Sequence, residues 1–470
     1  MAKQITIGLD FGTHQTKVCA EIIDGNELTY QFSKFKDRNG IEQYTLPSII
    51  GITEKGLLQY GYLPNNFKGK IIRYFKQNVF CTTKRPSMSF EDAIYYSIWY
   101  ISYVIFQLEE RYGINFTIQM GVPTDSDKEH MAKAKQIVKQ IVLSAYKLVE
   151  EVYSNNINDF LSTPINVLKQ KTKITNQFDN MDPLVFPEAY ACLRPLISQR
   201  KIPTGMNLMV DIGGGTTDIS FFTIENNQPQ VYNFFSIDKG LNYLIKVDER
   251  YKNHDDSIYI IEQQIINNSK DKLQKKVFHD LKLLGTKLLE IISHNDKEAL
   301  NIELDSNVNN SDEIDEERKK IYFREIEAIC KILEENIKHE FKDNVKGIPL
   351  QNLLDALQNR PIVYCGGGST FKVLRKTYQG YTDKKQISHT EWDQKSVVDM
   401  EYIKQHNLCP ILSTAYGLSK GAVDDNITMK SFNDLFKHLR DINTQPTSPQ
   451  NHVRHTHDYS NAYDDWDTIK

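Results

Sequence analysis

Short apolar runs that end in aspartate and break on glycine and threonine occur twice in this chain, about 200 residues apart. The first is Ile5-Thr6-Ile7-Gly8-Leu9-Asp10-Phe11-Gly12-Thr13, and the second runs from Leu208 through Asp211-Ile212-Gly213-Gly214-Gly215-Thr216-Thr217 to Asp218. Each predicts a buried strand, a Gly/Thr turn, a second strand (Lys17 to Ile23; Ile219 to Ile224), a polar turn and a third strand. The polar turns are Asp24-Gly25-Asn26 and Glu225-Asn226-Asn227. A further apolar run, Pro361 to Cys365, leads into Gly366-Gly367-Gly368-Ser369-Thr370 and a helix expected to begin near Phe371.

Between these runs the pattern is mixed. Ile94, Ile98, Ile101, Ile105 and Leu108 recur at helical spacing within Phe90 to Tyr112, so Trp99 and Tyr103 read as packing residues. Ser48 to Ile52 reads as a strand, as does Phe116 to Val122, and Asp127 can cap a helix from Lys128 to Glu150. Residues 153–182 are rich in Asn, Thr and Lys and read as an irregular insertion. Pro187 opens a helix. The stretch 246–345 reads as charged and mostly helical, with its acidic loop Asn309 to Glu317 a solvated surface. A helix is expected over Ile411 to Lys420, and Phe432, Leu435, Phe436, Leu439 and Ile442 share one helical face. The polar tail that follows reads as disordered, with no assigned site at His452, His455 and His457.

The 470-residue length exceeds what one core supports. The expected division is a lobe over 1–204 (core 1–40 and 117–204, inserted subdomain 41–116) and a second over 205–423 (core 205–245 and 346–423, inserted helical subdomain 246–345). An amphipathic helix (424–443) and a disordered tail (444–470) follow. The expected class is α/β. Forty per cent apolar and 25% charged residues describe an ordinary globular protein, and a net charge of −4 gives no bulk attraction to nucleic acid or membrane. No signal-peptide layout or membrane span is evident, which suggests a cytoplasmic protein. Six scattered cysteines without a C-x-x-C pair read as buried free thiols.

Glycine turns let backbone N–H groups approach an anion, and a carboxylate at a strand end can hold hydrated Mg²⁺. One such turn is as well explained as a tight hairpin; three, each after a buried strand, point to phosphate. No G-x-x-x-x-G-K-[ST] loop is present.

In this order the motifs resemble the nucleotide-binding domain of the Hsp70 family, within the actin/sugar-kinase/Hsp70 ATPase superfamily, over about residues 4–422. Asp10 to Thr13 resembles the family's first phosphate motif, Asp211 to Ser220 its second, and Val363 to Thr370 its adenosine motif. Pro187 to Leu193 and Ser413 to Gly417 resemble its connecting helices. The resemblance implies a duplicated actin-like ATPase (ribonuclease H-like) fold with two lobes around a nucleotide cleft, binding ATP or ADP with Mg²⁺. It implies metal contacts at Asp10 and Asp211 and phosphate contacts at Gly12, Thr13, His14, Gly213, Gly214, Gly215 and Thr216. Asp218 would orient groups around the attacking water, and Lys70 would be the catalytic lysine, a surface lysine being the competing reading. Lys287, Gly366, Gly367, Gly368, Ser369 and Phe371 would meet the nucleoside.

Three departures stand out. Phe186 occupies the place of the family's glutamate, with Glu188 as a substitute beyond Pro187; Phe371 replaces an adenine-packing arginine; and only about 50 residues follow the domain, too few for a peptide-binding region. The function expected is a Mg²⁺-dependent ATPase serving as a conformational switch for an unidentified protein partner or client. An actin-like filament former of the plasmid-partition type and a small-molecule kinase are the alternatives, and binding without hydrolysis is a further outcome.

Overall fold

The computed structural model describes residues 3–37, 40–64, 67, 69–80, 88–124, 128–178, 181–197, 202, 206–225, 228–237, 239–240, 244, 316–344, 362–370, 396–406 and 408–421. The expected Asp127 cap, the helix from Phe371, most of the 246–345 subdomain, the 424–443 helix, the histidine-bearing tail, Cys81 and Lys287 lie outside the described residues.

The chain is an α/β protein built on two sheets with a shared strand order. In the first, β1 (Gln4–Phe11), β2 (Gln15–Asp24) and β3 (Glu27–Phe32) form an antiparallel meander. Three short pieces follow: β4 (Phe35–Lys36), β5 (Glu42–Gln43) and β6 (Leu46–Pro47), the last pairing with β2. The inserted region adds a small sheet of β7 (Ile50–Thr53), β8 (Leu58–Tyr60) and β9 (Gly69–Ile72). Parallel strands β10 (Thr117–Val122) and β11 (Leu184–Pro187) then extend the first sheet beside β1.

The second sheet repeats the scheme. β12 (Asn207–Ile212), β13 (Thr217–Glu225) and β14 (Gln228–Ile237) form a meander, and β15 (Ile362–Cys365) lies parallel to β12.

Helices fill the faces. In chain order they are α1 (Phe75–Phe80), α2 (Phe90–Tyr112), α3 (Lys128–Lys147), α4 (Ile157–Leu161), α5 (Ile165–Lys171), α6 (Glu188–Ile197), α7 (Glu316–Asn344), α8 (Met400–Gln405) and α9 (Cys409–Ser419). Period-two alternation along β1 sends Ile5, Ile7, Leu9 and Phe11 into a core with α2 and α3. The opposite face is left to Thr6, Gly8 and Asp10. Gly8 allows this close approach: a β-carbon there would collide with the Ser419 nitrogen and Ala415 carbonyl of α9. Gly417 likewise sits against the Ala191 carbonyl, so α6 and α9 cross backbone to backbone. Leu208, Val210 and Ile212 pack with α7, α8 and α9, whereas Met209 faces α6.

The α2 helix has the expected bounds. Ser89 caps it by accepting from the Asp92 N–H, and Trp99 is buried with its Nε1 donating to Thr172 Oγ1 at 2.8 Å. Tyr103 stacks on Tyr60, as its packing role predicted. The supposedly irregular stretch 153–182 instead folds into α4 and α5. The Asn156 side chain accepts from the Asn158 and Asp159 N–H groups, and buried Phe160 and Leu168 anchor the two turns. The helical α7 begins at Glu316, inside the expected acidic loop. Cys19, Cys192, Cys330, Cys365 and Cys409 are free and buried, as expected.

One half-buried carboxylate carries a pH prediction. Burial, with Glu150 adding, pushes Glu109 on α2 from 4.5 up to about 7, and among the described residues its Oε2 has no hydrogen-bond partner. A carboxyl raised on folding penalises the folded state once ionised, so stability is lost as pH climbs from about 4.5 through about 7. Glu109→Gln is expected to raise the thermal midpoint at pH 8 and leave it unchanged at pH 4. Scanning calorimetry across that range checks it.

Candidate functional site

The two Gly/Thr turns meet. A β-carbon on Gly214 would collide with the His14 ring, and one on Gly215 with Gln77 Nε2, with Thr13 Cγ2 at 3.2 Å. His14 is propped from behind by Tyr74, edge-on at 5.5 Å, whose backbone is left-handed (φ 61°). Between the turns opens a cleft of about 830 Å³, including the part open to solvent. Asp10, Gly12, Thr13, His14 and Lys17 line it from one side and Asp211, Gly213, Gly214, Gly215, Thr216 and Asp218 from the other. Lys76, Glu188, Gly366, Gly367 and the start of α9 complete it.

Each charged group is placed by its element. Asp10 ends β1 and faces Lys17 across the antiparallel register, and the two pair at 2.7 Å. Asp211 lies opposite Asp218 on β12 and β13. Gly366, at φ 77°, packs against the Asp211 carboxylate, where any side chain would collide. Glu188 heads α6, whose first turn is tied down by the Ala189 N–H donating to Thr124 Oγ1 at 3.1 Å. Gly121 leaves the space that Glu188 occupies. From α1, the buried Lys76 ammonium donates to Glu188 Oε1 at 2.6 Å.

Four carboxylates and two ammonium groups therefore share one cleft. Burial, then Glu188 and Asp10, push Asp211 up to about 7; burial and Asp211 push Asp218 up to about 8, despite a hydrogen bond from Ser236. Burial also raises Glu188, with Asp10 adding and Lys76 opposing. For Lys76 burial acts downward, but Glu188, Asp10 and Asp218 hold its ammonium above the ordinary value. Such crowding of like charge is costly and is relieved by cationic neighbours.

Most of the residues singled out in the sequence come together here, but not all. Lys70 does not: it is exposed on β9, paired in register with Ile52, and its charge acts on Asp92, whose carboxyl is held low chiefly by the Ser89 hydroxyl. Lys76, six residues on, supplies the buried cation instead. Gly368 packs on Ile212, and Ser369 donates to the Gly366 carbonyl at 2.7 Å, so both shape the turn without lining the cleft. Phe186 is buried on β11 beside Ala191 and Leu418. Lys287 and Phe371 lie outside the described residues. Lys17, Lys76 and Thr414 line the cleft and were missed. The cross-strand spacing of Asp10 and Lys17 around a tight turn was the available signal for Lys17.

No protein-family model matches this chain, and no curated protein does. Among the described residues no helix is long and apolar enough to cross a membrane.

Proposed function

We propose that this cleft binds a nucleotide by its phosphates and that the chain is a Mg²⁺-dependent ATPase of the duplicated actin-like, Hsp70-like architecture, working as a nucleotide-controlled switch. The observation that carries the reading is the contact of two glycine turns from two sheets of the same strand order, with charged groups grouped around the point of contact. Backbone N–H groups of Gly12, Gly214 and Gly215 would cradle phosphate oxygens, with the Thr13 and Thr216 hydroxyls beside them. Lys76 and Lys17 would offset charge on the terminal phosphoryl group, the dominant requirement of this chemistry. Glu188, held by Lys76, would orient the attacking water.

The donor set fits magnesium. Asp211 is pushed up to about 7 by burial first and then by Glu188 and Asp10, and Asp10 lines the same cleft. Among the described residues no three His, Cys, Asp or Glu side chains converge into a metal cage, so Asp10 and Asp211 would hold the ion through its waters. Bound there, it would neutralise phosphate charge. A partner protein would read the angle between the two sheets as nucleotide is turned over.

Titration calorimetry with ATP and Mg²⁺ tests the reading. One saturable site with Kd below about 100 μM is expected. No heat at millimolar nucleotide would end it.

A further inference from the structure

One buried group directly behind the cleft has no use in the scheme above. Gln77 follows Lys76 on α1 and is 2% exposed, yet among the described residues neither its Oε1 nor its Nε2 has a hydrogen-bond partner. A carboxamide orphaned at both ends is costly, and a leucine of nearly the same size would fill the space without that cost. Its position is specific. Nε2 stands where a Gly215 side chain would begin, next to the methyl of Thr13. Thr13 and Gly215 both line the cleft, one from each turn. The amide therefore packs from behind the cleft against the Gly215 turn, in the space that a Gly215 side chain would take, close to Thr13 of the facing turn.

We propose that Gln77 is a specificity residue that hydrogen-bonds the terminal phosphoryl group and so makes this site distinguish nucleoside triphosphate from diphosphate. The inference rests on the nucleotide reading above. Nε2 donates to a terminal phosphoryl oxygen, and Oε1 accepts from the water held beside it. In the free protein the amide waits unsatisfied. A diphosphate, one phosphoryl group shorter, leaves it so.

The test compares a non-hydrolysable ATP analogue with ADP, each with Mg²⁺, on the wild-type chain and Gln77→Leu by calorimetry, together with thermal midpoints without nucleotide. Gln77→Leu is expected to lose about ten-fold or more in triphosphate affinity, since a hydrogen bond to a charged group is removed. Its ADP affinity is expected to stay within about two-fold. Its nucleotide-free midpoint is expected to rise, because two unsatisfied polar atoms are gone. A purely structural Gln77 would shift both nucleotides together or neither, and that result overturns the inference while leaving nucleotide binding intact. A wild-type chain that binds neither nucleotide overturns both. Should Gln77→Leu fail to fold, Gln77→Asn keeps the amide but shortens its reach. It is expected to show the same selective loss, and an unchanged triphosphate-to-diphosphate ratio counts against the proposal.

Discussion

Replacing Lys76 by methionine is expected to reduce ATP turnover by about 100-fold or more and to make the fold less stable as pH rises. The side chain keeps its length but loses the cation, and Glu188 is left in the cleft wall with Asp10 and Asp211 as neighbours. Breaking a buried pair from one side typically costs about 3–5 kcal/mol. Here part of that cost is avoided by protonation. Glu188 already sits above its ordinary value, through burial first, and loss of Lys76 removes its main opposing influence. A carboxyl raised on folding costs nothing below its unfolded value and progressively more above it. The variant should therefore melt close to wild type at pH 4 and well below it at pH 8. Adding Glu188→Gln should restore most of the stability at pH 8 and none of the turnover. Equal midpoints for wild type and Lys76→Met at pH 8 would show that the pair does not hold the cleft wall.

Gly417→Ala is expected to be the most destabilising single methyl group in the central helices, by about 3 kcal/mol or more. The added carbon meets the Ala191 carbonyl oxygen, with the Ala191 carbon at 2.7 Å. Backbone cannot rotate away as a side-chain tip can. The helices must separate, and α9 also packs on β1 and β2 through Gly8. The consequence reaches the cleft, because Pro410, Ile411 and Thr414 line it from α9 and Glu188 enters it from α6. Urea denaturation should show a lower midpoint, and ATP affinity should fall at temperatures where the variant is still folded. An unchanged midpoint would mean that α6 and α9 are not locked in this crossing.

The parts of the molecule that were readable in the sequence are those whose cause is local. An apolar run, an aspartate and a glycine turn specify a strand and its end within a dozen residues, so both meanders and the β15 strand were expected where they occur. The α2 helix was equally plain because its apolar spacing runs over 23 residues and both ends are marked. Lys76 was hidden for the opposite reason. Phe75-Lys76-Gln77-Asn78 was given no reading in the sequence, and the partner of its buried lysine is Glu188, 112 positions away. Lys70 was given that role in the sequence reading by resemblance, against the competing reading of a surface lysine. The helices α4 and α5 were missed because polar composition outweighed a few anchors; Asn156 as a cap, with Phe160 on the next turn, was the overlooked signal. Gln77 left no trace in sequence at all. Its meaning lies in an absence of partners, which only packing reveals.

A crystal structure with a non-hydrolysable ATP analogue and Mg²⁺ tests the central claim most directly. The triphosphate is expected between Gly12-Thr13 and Gly213 to Thr216, with its end toward Lys76 and Glu188. Nucleotide bound elsewhere, or a cleft without nucleotide between the two turns at saturating ligand, would contradict it.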